Sequence, residues 1–385
     1  MALVAQRWVA VRRGTQWPRS GWQRLTAVQA GIRPSIGEMV HMETSRPVYT
    51  YRGSIHVHST YSDGLATVEQ IAGQAAEAGV DFVIITDHNT LKGREDGLEG
   101  WYGDVLILIS EEITPDTDSN HYLALGVGQA IPPLLDPAEN IRAVRAAGGI
   151  GIVAHPTGGY MVHGEYKEYP WTNWRAGEFD GIEVWNHAYD ITGKSKNLIQ
   201  LGLWWLFPWL APAGPVDEVL KVWDHFVASE GRPTVGIAGS DCHGMLSSYR
   251  KGLRSVCTYI VTEGPLTGSL SHDAALVYAA IRQGRCYVGA DKVRDAAGFE
   301  CYVSVGDERV HMGGVARLSR APVLVVKSPA EGLIRVIRDG QLALEWRGME
   351  LEANINVRGA YRVEVALASG KRDKPWIYGN HIRVV

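Results

Sequence analysis

Disulfide chemistry has little to work with in this chain. Its 385 residues include four cysteines, Cys242, Cys257, Cys286 and Cys301, and no two are spaced as C-x-x-C. That excludes a disulfide framework or a cysteine-built zinc knuckle and fits a reducing, cytoplasmic setting. Long apolar runs are also missing. The most apolar stretch, residues 198–213, contains Pro208 and falls short of the roughly 20 residues that cross a bilayer. No membrane span is expected, and the stretch reads as a pocket wall, a lid or an oligomer contact. Excess charge is absent as well. With 38 Lys+Arg against 42 Asp+Glu, the net charge of -4 gives no electrostatic reason to expect nucleic acid as a partner.

Acidic residues are missing from the first 37 positions, which carry Arg7, Arg12, Arg13, Arg19, Arg24 and Arg33 ahead of Glu38. The segment resembles an acid-poor targeting peptide but has no apolar core of a secretory signal. A disordered extension over residues 1–48, or a true start at Met39 or Met42, is the plainer expectation. What the chain does have is 44 glycines, suited to many tight turns, and 13 tryptophans, which hint at an apolar pocket or interface.

From Arg52 the pattern alternates short apolar strands with amphipathic helices. A strand is expected over residues 54–58. Thr67-x-x-Gln70 then opens a helix as a capping box, with Val68, Ile71, Ala75 and Ala78 on one face and Gly79 as its stop. Further strands are expected at 82–86, 105–109, 122–126, 150–154, 181–185, 234–238 and 255–261, with helices near 137–147, 216–229 and 273–283. So many strand-helix units predict an α/β fold with a parallel sheet closed as a barrel, over residues 49–290. After Gly289 short strands alternate with turn signals such as Asp339-Gly340, which predicts a small all-β, sandwich-like domain over 291–385.

The residues able to do chemistry fall at the predicted strand ends. His56 and His58 stand two apart, so a regular strand would point both imidazoles to one face. Asp63 follows in the turn, His88 ends TDHNT, Glu112 ends SEEIT, His121 begins HYLALG, His155 closes IVAHP, and Asp241 and His243 close GSDCHG. A lone strand-end histidine is more often structural than a ligand. Six histidines and three carboxylates buried together would be far too costly without a compensating cation. Imidazole with carboxylate suits zinc, iron or manganese, and nine ligands exceed one tetrahedral ion, so two or three divalent ions are expected.

The strings HVHSTYSDG, IITDHNT, SEEIT, NHYLALG, VAHP and GSDCHG resemble the motif series of the PHP (polymerase and histidinol phosphatase) superfamily, over about Tyr51 to Gly289. The resemblance implies a distorted (β/α)7 barrel. It also implies one ion on His56, His58, Glu112 and Asp241, a second shared through Glu112 with His121 and His155, and a third on Asp63, His88 and His243. Asp63 stands where some members have His. Glu111 competes with Glu112 for the bridging role, although Glu112 keeps the spacing of the family's G-x-E-[IV]-[ST] string, with Ser110 in place of the Gly. The strings GIEVWNH, WDHFVASEGRPTVGIAGSDCHG and IRQGRCYVG are most similar to the CehA/McbA-type group, named for hydrolysis of aryl N-methylcarbamates.

A metal-dependent hydrolase of a small molecule is therefore expected. Bound cations would lower the pKa of a bridging water from about 15.7 toward 7 to give the hydroxide nucleophile. Asp87 is a candidate supporting residue and His163 a candidate proton donor, while Asn89, Trp185, Asn186 and His187 could line the substrate pocket. Lys92, Arg94, Lys251 and Arg254 near the motifs make no persuasive phosphate site. An ester, carbamate or amide bond is expected ahead of a phosphoester, and a non-catalytic metal-binding module is the remaining alternative. Oligomeric state is left open.

Overall fold

Strands that are apolar on both faces have to be covered on both sides. A computed structural model gives the arrangement and describes residues 32–34, 48–117, 119–157, 159–162, 165–189, 203, 206, 214–245, 247–369 and 372–385. It is a mixed α/β structure with one large hydrogen-bonded sheet and few helices. Seven strands follow one another through paired neighbours: β1 (Tyr49–Val57), β2 (Phe82–His88), β3 (Val105–Ile113), β4 (Tyr122–Leu125), β5 (Ile150–Val153), β6 (Gly181–Asn186) and β7 (Val235–Gly239). Strands β1, β2 and β3 pair in parallel, as do β5, β6 and β7. Just beyond β7, Cys242 bridges in parallel to Val57 and returns the seventh strand to the first.

The expected run of parallel strands is broken at β4, which is antiparallel to both β3 and β5. Residues 114–121 between β3 and β4 are too few for the crossover of a dozen or more that parallel neighbours require. An added antiparallel pair, β8 (Cys257–Thr262) and β9 (Cys286–Gly289), extends from the first half of β1.

Helix α1 (Val68–Ala78) forms as its sequence dictates. Thr67 and Gln70 make the reciprocal capping box, Gly79 closes the helix at φ 67°, and Val68, Ile71, Ala72, Ala75 and Ala78 are buried. Helices α2 (Pro137–Ala146), α3 (Asp217–Ala228) and α4 (Leu270–Arg282) follow. Ile55, Ile84, Leu108, Leu123, Ile152 and Ile237, one from each of six strands, pack in one apolar cluster with Val277 and Ile281 of α4. The polar residues come after this layer in each segment, toward the carboxyl end: His56 after Ile55, Glu112 after Leu108, His155 after Ile152. The apolar layer thus sets the level at which the site begins.

Beyond Gly289 the described residues form strands and turns with one short 3-10 helix, and the longer strands are β10 (Glu300–Val305), β11 (Val323–Arg338), β12 (Gln341–Ile355), β13 (Gly359–Ser369) and β14 (Arg372–Gly379). Strand β11 is longer than the short strands expected here and carries a register shift between Lys327 and Gly332. Pairing of β9 with β14 carries the sheet across position 290. Ile32–Pro34, inside the extension expected to lack structure, pairs with Ala353–Ile355 on β12, whose edge offers unpaired backbone groups. Of the apolar stretch 198–213 only Leu203 and Leu206 are described, and both are exposed. No helix among the described residues is long and apolar enough to cross a membrane.

Helix α3 is tied to the carboxyl-terminal strands by a buried charge cluster. Arg362 donates from Nε and Nη2 to the two oxygens of Asp224 at 2.6 and 2.8 Å, and His381 Nε2 lies 2.8 Å from the same carboxylate. Burial alone would raise the Asp224 pKa, but the hydrogen bonds from Arg362 and His381 outweigh it and hold the group at about 2. Burial lowers His381, so its neutral form is the one that folds. Both effects have one sign. The Asp224 contribution is complete above its ordinary 3.8 and lost as pH falls toward 2, while His381 resists folding once pH drops below its ordinary 6.5. Urea titrations should show that Arg362→Ala costs about 3–5 kcal/mol at neutral pH by leaving the buried Asp224 carboxylate without its permanent cation. Asp224→Asn should flatten the loss of stability between pH 4 and 2 relative to the parent chain.

Candidate metal centre

Glu112, at the carboxyl end of β3, is 1% exposed and meets five imidazoles. Its Oε2 lies 3.2 Å from His56 Nε2, 3.4 Å from His58 Nε2 and 3.2 Å from His88 Nδ1. Its Oε1 lies 2.9 Å from His121 Nδ1 and 3.3 Å from His155 Nε2. One carboxylate therefore presents an oxygen to each of two groups of histidines. Glu111 points elsewhere: its Oε1 accepts from the Ile131 amide at 2.7 Å, and burial pushes its pKa up to about 7.

Asp241 completes the buried part, with Oδ1 3.5 Å from His56 Nε2 and 3.6 Å from His58 Nε2. Asp63 lies at the open side, half exposed, with Oδ1 3.2 Å from His243 Nε2, 3.6 Å from His88 Nε2 and 3.7 Å from His58 Nδ1. Donor atoms come within 4.8 Å of one another in four overlapping sets: His56, His58 and Glu112; His56, His155 and Asp241; Glu112, His121 and His155; and His58, Asp63, His88 and His243. All nine residues expected as ligands thus converge. The two i, i+2 pairs do not act as simple strand alternation, however. The β1 register shifts between Ile55 and Val57, where His56 has φ 63°, and Asp241 and His243 fall into different sets.

The residues fit cations better than they fit one another. His58 is fully buried, and neither ring nitrogen has a hydrogen-bond partner among the described residues. Such orphaned atoms are rare without an unseen partner. Burial would raise Asp241 and Glu112, but His56 and the neighbouring imidazoles hold both carboxylates well below their usual range. Burial would lower His56, and Asp241, Glu183 and Glu112 raise it instead. The carboxylates favour a proton on His56, and divalent ions would take over that balancing role while displacing it.

Three residues beside the donors were not singled out from the sequence. Glu183 of β6, 2% exposed, accepts from His56 Nδ1 at 2.9 Å and from the His155 amide at 2.7 Å. It lies inside GIEVWNH, the string whose pocket candidates were Trp185, Asn186 and His187. Tyr189 stacks on His155 with ring centroids 5.2 Å apart, its hydroxyl 3.2 Å from Nδ1, and Tyr169 lies beside His121 at 5.2 Å.

The other expected residues divide. Asn186 donates from Nδ2 to Glu183 at 2.9 Å and to Asp241 at 3.3 Å, so its amide joins two carboxylates. Asp87 accepts from the Ser59 amide and hydroxyl at 2.7 and 2.6 Å and from the Ser62 hydroxyl, which fixes the turn that carries Asp63. Asn89 is spent on both backbone groups of Thr114 at 2.8 Å instead of lining a pocket. Trp185 is 1% exposed with its ring edge-on to Tyr378. Its large apolar side chain packs toward the carboxyl-terminal strands. His187 is half-buried, and His163 lies outside the described residues.

The PHP domain model matches residues 54–131. An uncharacterized protein of Methanocaldococcus jannaschii is 30% identical over 118 residues, 27% of this chain and 67% of that one. The chain belongs to the PHP-domain family. A phosphoribosyl 1,2-cyclic phosphate 1,2-diphosphodiesterase of Eggerthella lenta is 38% identical over 85 residues, 21% of this PHP protein and 32% of the enzyme. Among solved structures, a two-domain Bacteroides vulgatus protein containing a predicted PHP-like metal-dependent phosphoesterase is similar at TM-score 0.44 and 15% identity, covering 90% of this chain and 100% of that one. An amidohydrolase from Chromobacterium violaceum reaches TM-score 0.30 at 15% identity, covering 50% of this chain and 87% of that one. Scores this low do not establish a shared fold.

Elemental analysis of protein refolded with manganese should separate the paired glutamates. Glu112→Gln is expected to lose at least one bound ion per chain, whereas Glu111→Gln should keep the parent stoichiometry.

Proposed function

We propose that this PHP protein is a metal-dependent hydrolase of a small molecule, with the observation that Glu112 is shared among five histidines as its main support. In this reading the nine converging residues hold two or three divalent ions of zinc, manganese or iron. Strands β1 to β7 are the family's distorted (β/α)7 barrel, and residues 291–385 are an accessory β domain. Bound ions would polarise the bond under attack and acidify water at the site.

The chain's own residues orient that chemistry. Glu183 accepts the His56 Nδ1 proton, which leaves the Nε2 lone pair facing Glu112 and Asp241. Tyr189 makes the matching contact with His155 Nδ1, and His155 Nε2 faces Glu112. Asp87 holds the Asp63 turn at the open side.

The bond is an ester, carbamate or amide, as in the CehA/McbA-type group. Two features support an uncharged substrate. Tyr169 and Tyr189 flank the histidines, and three nearby cations are committed elsewhere: Lys92 to Asp96, Arg94 to the Val127 carbonyl and Glu99, and Arg254 to the Ala78 carbonyl and Asp295. The second reading is a phosphoesterase, favoured by the 38% identity to the Eggerthella lenta phosphodiesterase.

Rates on manganese-, zinc- and iron-loaded protein with an aryl N-methylcarbamate and an aryl phosphodiester would separate the two. A faster carbamate reaction is expected, and a faster phosphodiester reaction selects the second reading. His155→Ala and Asp241→Ala should each lower kcat/KM by more than about 100-fold, the upper end of what loss of a ligand's support alone causes. Unchanged metal content and rates in both would overturn the catalytic reading.

A further inference from the structure

Three of the buried donors, His56, His155 and Asp241, adopt left-handed backbone conformations with φ of 63°, 23° and 50°. Non-glycine residues avoid that region unless their surroundings force it. The three belong to different strand ends, and one side chain touches or braces all of them. Glu183 Oε1 lies 2.9 Å from His56 Nδ1, while Oε2 accepts from the His155 amide at 2.7 Å and from Asn186 Nδ2 at 2.9 Å. The same Asn186 nitrogen lies 3.3 Å from Asp241 Oδ2.

The fold makes room for this carboxylate at one position. A Cβ on Gly239 of β7 would stand 1.3 Å from Glu183 Oε1, so any other residue there would expel it. Glu183 itself belongs to none of the donor sets that come within 4.8 Å. A buried carboxylate with three donors directed at it and a glycine opposite is a built feature, and its partners are the donors of one set.

We propose that Glu183, seated against Gly239, is the positioning residue that assembles the His56–His155–Asp241 set and fixes its affinity for a divalent ion. This rests on the reading of those residues as metal ligands. Glutamine is the informative replacement because it keeps the volume. Whichever way its amide turns, an NH2 would face either the His56 Nδ1–H or the His155 amide, so at least one strained donor loses its acceptor.

The test is binding of Mn2+ by calorimetry and the visible spectrum of the Co2+-loaded protein, on the parent chain, Glu183→Gln and Gly239→Ala, with melting of the metal-free forms as the fold control. Both variants should bind Mn2+ about 10–100-fold more weakly at their tightest site. Their Co2+ spectra should be altered, and metal-free Glu183→Gln should melt close to the parent. Parent-like affinity and spectrum in Glu183→Gln would overturn the proposal alone, even if Gly239→Ala failed to fold. A parent chain that bound no Mn2+ would overturn the metal reading and this proposal with it.

Discussion

The structure depends on keeping six imidazoles and three carboxylates within a few ångströms of one another and mostly out of water. Electrostatics alone opposes this, since each burial penalises a charged form and the like-charged neighbours repel. Glu112 is where the opposition is resolved. It offers an oxygen to two sets of histidines at once, and the remaining carboxylates close the sets from either side. The apolar layer beneath, from Ile55 to Ile237, keeps solvent from the strand bodies and gives the donors one level to stand on. What reads as a list of motifs along the chain is a single electrostatic object in space.

Rigidity around that object comes from side chains that would not ligate. Asp87 organises the turn from Ser59 to Asp63, Asn186 joins two carboxylates, and Tyr189 backs His155. Much of this shell is buried, and among the described residues five of the seven non-glycine residues with positive φ are donors or their immediate sequence neighbours: His56, Asn89, Asn120, His155 and Asp241. Backbone strain is concentrated where convergence is demanded. The open side, by contrast, carries Asp63 with half its side chain exposed and His88 and His243 about a quarter exposed, so the centre is graded from dry to wet.

The donors were legible in the sequence because chemistry at strand ends has a local signature: a polar residue directly following an apolar run, repeated strand after strand. The capping box at Thr67 and the α1 face were legible for the same reason. Contacts that depend on distant parts of the chain were not. Glu183 lies in an apolar hexapeptide and meets His56 across 127 positions. The reversal of β4 follows from loop length and pairing choice, neither of which periodicity records. Asn89 was read as a pocket residue from its neighbours in sequence, yet a side chain at a strand end can turn back to the main chain, as this one does.

The bridge between Val57 and Cys242 has a consequence for how the molecule comes apart. It joins the first strand to the segment after the seventh, and the chain between them runs through nearly all the other donors. His56 and His58 stand on one side of that seam, Asp241 and His243 on the other. An ion shared across it would act as a removable rivet, closing a loop of nearly two hundred residues and offsetting the chain entropy that such a closure costs. Opening that seam would then require the rivet to leave first, so loading would slow unfolding more than it speeds folding. The same ions proposed for hydrolysis would double as the lock on the fold that holds them.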